Sequence, residues 1–173
     1  MRLAAFWFIL LLGLSVLAQA ETPVEIGTTF GMTIAVPSDG GDAQLILSAP
    51  SGTFLGLGAM YITVIASERW MIEPQIMFNA STERDDVLFS GMFQLGYLFS
   101  PKSNSSLYIA GHVGQFHLDT DLDSVALGAA VGTRKKLLGG AAAVRGELRY
   151  RSYLDDAFDL HELALNVGLG VVL

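Results

Sequence analysis

The sequence contains no cysteine, so disulfides, thiolate metal sites and cysteine nucleophiles are excluded from any account of it. Charge is scarce: Asp, Glu, Lys and Arg make up 16% of 173 residues, and ten basic residues stand against seventeen acidic ones. A formal net charge of −7 is the wrong sign for a nucleic-acid partner, which demands a basic stripe. Five prolines are scattered along the chain and no Pro/Ser-rich tract occurs, so nothing marks a linker between domains. Beyond residue 20 no apolar run reaches the length of a membrane helix; the longest, Phe54 to Ala66, is interrupted by glycines and Thr63. There is no Gly-rich phosphate loop and no zinc-ligand spacing, and no residues call for a cofactor.

The first twenty residues read as a separate unit. "MRLAAFWFILLLGLSVLAQA" carries one basic residue, Arg2, an apolar core from Leu3 to Leu14, and a small-x-small close at Ala18-Gln19-Ala20. Those are the three parts of a cleaved secretory signal peptide, residues 1–20, which leaves one domain over residues 21–173. The competing assignment is an N-terminal anchor, for which the apolar core is short of a full span.

From Val24 onward the chain alternates with period two. Eight segments, each near a dozen residues, recur at roughly 24–36, 54–66, 69–80, 86–99, 106–118, 124–135, 141–153 and 161–173. Their connections alternate too. "SER", "PKSNSS" and "KKLLGG" are short, and their side carries Lys102, Arg134, Lys135 and Lys136. The others are long or acidic: "PSDGGDAQLILSAPSG", "STERDDV", "DTDLDS" and "LDDAFDLH", with Asp85, Asp86, Asp119, Asp121, Asp123, Asp155, Asp156 and Asp159. Long-short alternation is the pattern of an up-and-down antiparallel barrel with one crowded exterior rim. The apolar "AQLILSAP" within 37–53 suits a short protruding hairpin or partner edge.

Which face points inward decides the compartment. In the last segment Leu163, Leu165, Val167, Leu169, Val171 and Leu173 oppose Glu162, Ala164, Asn166, Gly168 and Gly170; the first opposes Ile26, Phe30, Met32 and Ile34 to Glu25, Gly27, Thr29 and Gly31. The polar face is dense in small residues that fit a crowded lumen, and the apolar face is too continuous for an eight-stranded interior to hold. Aromatics near segment ends (Trp70, Phe78, Phe89, Tyr97, Phe99, Tyr108, Tyr150, Tyr153) suit interfacial girdles. The pattern therefore predicts an all-β, eight-stranded transmembrane barrel with its apolar face in lipid. The stretch "RGELRYRS" then places Arg145, Glu147, Arg149 and Arg151 in the lumen, since an arginine facing lipid at mid-bilayer costs about 2–4 kcal/mol. Glu25, Glu73 and Glu162, with Glu147 itself, are the carboxylates available to pair with them, giving a closed, charge-filled interior of structural purpose.

The end of the chain, "NVGLGVVL", has Asn166, Gly168, Val171 and a terminal Leu173 at alternate positions. This resembles the C-terminal assembly signal of bacterial outer-membrane barrels, from which the terminal leucine departs, phenylalanine being usual. "FLGLGAMY" and "LYIAGHVGQFHL" are similar to the strand phrases of the same proteins. Residues 21–173 as a whole resemble the small barrels of the outer membrane protein A and X type. That resemblance implies the outer membrane of a Gram-negative bacterium, with lipid and lipopolysaccharide as surroundings. It also implies contact with the barrel assembly machinery during biogenesis, and an extracellular partner met through the acidic loops.

Two chemistries need weighing. "DTDLDS" has the odd spacing of a calcium loop, but Ser124 stands where glycine belongs and Ala130 where the closing glutamate belongs, so a dedicated EF-hand site is rejected and only loose divalent binding at the acidic rim is left. Some small outer-membrane barrels are lipid A deacylases or acyltransferases, so Ser152 with His161, or Ser124 with His117, form the enzyme alternative; His112 is expected to point inward. A soluble lipocalin-like periplasmic carrier would need an apolar lumen, and a narrow ion channel would need an incomplete charge network. The expectation is a non-enzymatic barrel whose loops carry any binding.

Overall fold

The computed structural model describes residues 23–38, 40–48, 59–66, 68–80, 87–119, 122–154 and 160–173. The period-two segments form strands β1 (Val24–Pro37), β2 (Gln44–Ser48), β3 (Ala59–Ala66), β4 (Trp70–Ala80) and β5 (Val87–Leu98). They continue as β6 (Ser105–Asp119), β7 (Leu122–Leu137), β8 (Ala142–Tyr153) and β9 (Leu160–Val172). Successive strands from β3 to β9 pair antiparallel with their neighbours in chain order. β1 joins β3 on one side and β9 on the other, the latter from Glu25↔Val172 to Pro37↔Leu160. Eight strands thus close into a ring, and closure removes the open edges that a flat sheet would expose.

The ninth strand is β2. Among the described residues it pairs with β1 alone, from Gly31↔Ser48 to Ala35↔Gln44, while β3 pairs with the same edge of β1 from Thr29 down to Val24. β2 and β3 therefore lie end to end along one edge of β1. The expected strand over 54–66 starts its described pairing only at Ala59, and residues 54–58 lie outside the described residues. Gly40, at φ 83°, donates its amide to the Pro37 carbonyl at 3.2 Å and turns the chain from β1 into β2, a backbone conformation that glycine adopts without strain.

Two connections differ from the sequence expectation. "DTDLDS" is mostly strand, since β6 and β7 run on to Asp119↔Leu122, with an irregularity between His117 and Asp119 that absorbs one extra residue. Asp119 and Asp123 therefore belong to strands rather than to a loop. On the other side, Lys135 and Lys136 lie within β7, and the reversal is a short 3-10 turn at Leu138–Gly140, where Gly139 and Gly140 both have positive φ. In both cases cross-strand hydrogen bonding lengthens the strands at the expense of polar connections.

The two faces are inverted relative to a soluble barrel. Leu165, Leu169 and Val171 are 52%, 54% and 57% exposed on the outside, whereas Glu73 and Arg145 are 0% and 4% exposed within. Ile26, Phe30, Met32, Ile34, Leu95, Ile109, Val131 and Leu148 extend the apolar exterior around the ring. Such a surface is stable only in lipid, where it replaces hydrocarbon contacts instead of ordering water. Refolded into detergent, the chain should run faster on a gel when unboiled than when boiled, and the unboiled band should resist protease. Folding in plain buffer without a mobility shift would mean that the faces have been assigned the wrong way round.

Candidate functional site

The densest polar chemistry of the molecule lies inside the ring, because every second residue of β8 points there. From the short-turn end upward, Arg145, Glu147, Arg149 and Arg151 are all buried on that face. Each sits at a different height, roughly two residues' rise apart.

At the turn-side end, Arg134 Nε donates to Glu25 Oε2 at 2.6 Å, and the Tyr61 hydroxyl donates to Glu25 Oε1 at 2.7 Å. One level up, Glu73 of β4 accepts both arms of Arg145, with Nη2 at 3.0 Å from Oε1 and Nη1 on Oε2. Glu73 also accepts from Thr63 Oγ1 and Gln75 Nε2. The Arg145 guanidinium lies 3.6 Å above the centre of the Tyr61 ring. β4 and β8 are diametrically opposed in the ring, so this fork spans the full lumen.

Above it, Glu147 accepts from Arg149 Nε at 2.8 Å, Gln94 Nε2 at 3.0 Å and the Tyr108 hydroxyl at 2.8 Å. Arg149 also reaches Gln75 Oε1 at 3.2 Å, a second strut across the barrel. Highest of all, Arg151 and Glu162, register partners on β8 and β9, pair at 2.6 Å. A turn-side apolar cluster of Met71, Leu98, Ala110 and Ala130 packs beside Tyr108. Each interior carboxylate thus faces a cation, as burial of charge requires.

The structure adds residues that the sequence reading placed elsewhere. Arg134 is not a rim cation; its even position on β7, shared with Gly132 and Ala130, turns it inward onto Glu25. Tyr108 is not a girdle aromatic, since it is fully buried with its hydroxyl on Glu147. Trp70, Tyr150 and Phe99 are outside, about half exposed, while the side chains of Phe78 and Phe89 lie outside the described set. Gly168 has a packing reason of its own, because a Cβ there would sit 2.7 Å from Arg145 Cγ. Asn166 faces Glu147 and Gly31 in the register, and Val171 and Leu173 are exposed.

Of the histidines, His112 is inside, and neither ring nitrogen has a hydrogen-bond partner among the described residues. Ser124 is buried and pairs in register with Phe116, whereas His117 pairs with Asp123, so the register does not bring Ser124 and His117 together. Ser152 and His161 are direct register partners near the loop-side end of β8 and β9, where the Tyr150 hydroxyl lies 2.9 Å from His161 Nδ1. Among the described residues no hydrogen bond joins Ser152 to His161, and no three His, Asp or Glu side chains gather to hold a metal ion. Asp85, Asp86, Asp121, Asp155, Asp156 and Asp159 lie outside the described residues, as does the whole of 1–20.

No protein-family model and no curated protein matches the sequence. The likenesses are to solved structures. Neisserial surface protein A superposes with a TM-score of 0.57 at 14% identity, over 86% of this chain and 96% of that one. Ail, the attachment invasion locus protein of Yersinia pestis, gives 0.54 at 13% identity, over 89% and 100%. Outer membrane protein AlkL, solved in lipid bilayers, gives 0.53 at 13% identity, over 88% and 90%. The chain has the fold of the small eight-stranded outer-membrane barrels, and an outer-membrane location agrees with its inverted faces.

Arg145→Leu would leave Glu73 buried without its cation. The expected cost is about 3–5 kcal/mol in detergent unfolding, with much of it recovered when Glu73→Leu is added. An unchanged midpoint in the single variant would remove the strut from the account of stability.

Proposed function

We propose that this chain is a closed, non-enzymatic barrel of a bacterial outer membrane that meets its surroundings through its loop-side end. In this reading residues 1–20 direct export, residues 21–173 form the barrel, and Asn166, Gly168, Val171 and Leu173 engage the barrel assembly machinery. The observation that carries it is the interior filled at successive heights by ion pairs, one of which, Arg145–Glu73, reaches β4 from β8, with the Arg149–Gln75 hydrogen bond as a second crossing. A lumen occupied in this way is a strut, and chemistry with the outside falls to the rim.

The rim has a specific device. Among the described residues β2 pairs only with β1, so in this reading its other edge offers backbone donors and acceptors at the loop-side end, beside the exposed Leu45. An extended peptide could add to such an edge. The neighbour Ail has been solved with the heparin analogue sucrose octasulfate, a polyanion. Here the loop-side connections are rich in aspartate, so complementarity favours a cationic partner, or divalent ions shared with lipopolysaccharide phosphates.

Planar bilayers containing the protein should show no steady conductance, and a stable open level would replace this reading with the channel. Orientation has its own test, made clean by the absence of native cysteine. Asp42→Cys should react with an impermeant maleimide on intact cells, and Lys102→Cys only after the outer membrane is permeabilised.

A second reading, an acyl hydrolase acting on outer-leaflet lipid, draws on the Tyr150–His161–Ser152 arrangement. Tyr150 on Nδ1 would orient His161 with Nε2 available as a base. No Ser152-dependent labelling by a fluorophosphonate is expected. Labelling abolished by Ser152→Ala would make the hydrolase the leading function.

A further inference from the structure

The outer surface is not a uniform apolar wall. Across β5, β6 and β7 the register aligns Leu95, Gly111 and Ala129 in one row, bounded toward the turn side by Tyr97, Ile109 and Val131. The missing side chain at Gly111 leaves an open floor, where an added Cβ would meet nothing nearer than 4.0 Å. The result is an apolar groove of about 640 Å3, lined by Trp70, Leu95, Tyr97, Ile109, Gly111 and Ala129.

The turn-side end of this groove carries a cation held in place. Arg69 Nη1 donates to the Tyr97 hydroxyl at 2.7 Å, and its guanidinium carbon lies 5.9 Å from the centre of the Tyr97 ring. Trp70 and Phe99 pack edge-on against the same ring at 5.4 and 5.5 Å. Past Arg69 opens a smaller cleft of about 330 Å3, which includes Glu68, Phe99, Ser100, Lys102 and Ser103. Arg69 thus sits where the apolar groove ends and the polar cleft begins. Among the described residues only one of its five donors has an acceptor, the Tyr97 hydroxyl, and Lys102 is engaged only by Glu68, at 3.4 Å on the exposed surface.

We propose that this paired groove and cleft is a binding site for one anionic glycerophospholipid of the turn-side leaflet. An acyl chain lies over Gly111 and Ala129, and the phosphate is held by Arg69, with Lys102 nearby. The inference rests on the membrane-barrel reading. Charge complementarity selects the occupant, because an apolar trough that ends at interfacial depth on an aromatic-braced arginine matches a lipid tail joined to an anionic headgroup.

The test uses the full chain with Trp7→Phe, so that Trp70 in the groove wall is the sole tryptophan. It is reconstituted in phosphatidylcholine vesicles that contain equal minor fractions of dibrominated phosphatidylglycerol or dibrominated phosphatidylcholine. Quenching of Trp70 should give a relative affinity ~5-fold in favour of phosphatidylglycerol, about what one basic residue contributes near an anionic surface. Arg69→Gln should bring the ratio to about one, whereas Arg69→Lys should keep most of it. Gly111→Leu, whose Cβ meets nothing nearer than 4.0 Å and whose side chain fills the groove, should abolish the preference while the faster unboiled band persists. Equal quenching by the two lipids in the parent chain, or a preference that survives Arg69→Gln, overturns the proposal and leaves the barrel reading intact. Quenching by neither lipid, together with a dimer in sedimentation, assigns the groove to a second copy. Loss of the heat-modifiable band in the parent chain overturns both readings.

Discussion

The interaction on which the rest depends is the fork between Arg145 and Glu73. An eight-stranded ring is too narrow for bulk water and wide enough only for side chains, so whatever polar group enters it must be satisfied by another. Glu73 accepts from four donor atoms of three residues: two from Arg145 on β8, one from Thr63 on β3 and one from Gln75 on its own strand β4. The volume this takes dictates smallness nearby. Gly168 stands against the Arg145 stem and Gly132 against the Tyr108 ring, where a methyl group at either site would overlap them. Gly27, Gly132, Gly168 and Gly170 on the inner face follow from the size of the arginine and tyrosine side chains they accommodate.

The same charges lock the register. A one-residue slip of β8 against β7 and β9 would turn Arg145, Glu147, Arg149 and Arg151 outward together, and would bring Leu148 and Tyr150 into the lumen. Each arginine moved toward mid-bilayer costs about 2–4 kcal/mol, and the carboxylates left inside lose their partners as well. A strand with alternating hydrocarbon alone could slide by two residues at little cost. β8 cannot, because Arg145 must meet Glu73 and Arg151 must meet Glu162 at the same time. The ion pairs therefore specify one pairing among several that hydrophobic alternation alone would allow.

Period two made the strands and their two faces legible, because alternation survives in any pairing. What escaped was set by partners distant in sequence. Arg134 sits beside Lys135 and Lys136 and reads as part of a rim cluster; only its phase with Gly132 and Ala130 could have shown that it turns inward to Glu25, more than a hundred residues away. Tyr108 lies near the start of β6, where an aromatic reads as a girdle residue, yet Glu147 draws its hydroxyl into the lumen. The extension of β6 and β7 through "DTDLDS" was hidden because aspartates signal turns locally, while the growing hairpin ladder outweighs that preference. The β2 strand was legible as an apolar stretch in a polar connection, but its place on the edge of β1 was not.

An interior whose charges are paired at every level also limits where this molecule can respond to anything. Breaking a strut exposes a buried charge, so a ligand entering the lumen would have to replace every hydrogen bond it displaced. The exterior has no such debt. At the loop-side end β2 has one edge without a strand partner among the described residues, and on the lipid face the row through Gly111 lacks the bulk that covers its neighbours. Arg69 differs from the arginines of β8 in the same respect: its guanidinium is exposed and tied to one tyrosine hydroxyl, so most of its donors can turn to a new acceptor without loss of a buried pair. The arginines of β8 are committed to buried carboxylates and hold the barrel shut, whereas Arg69 lies exposed at the membrane boundary, where a charged partner can reach it.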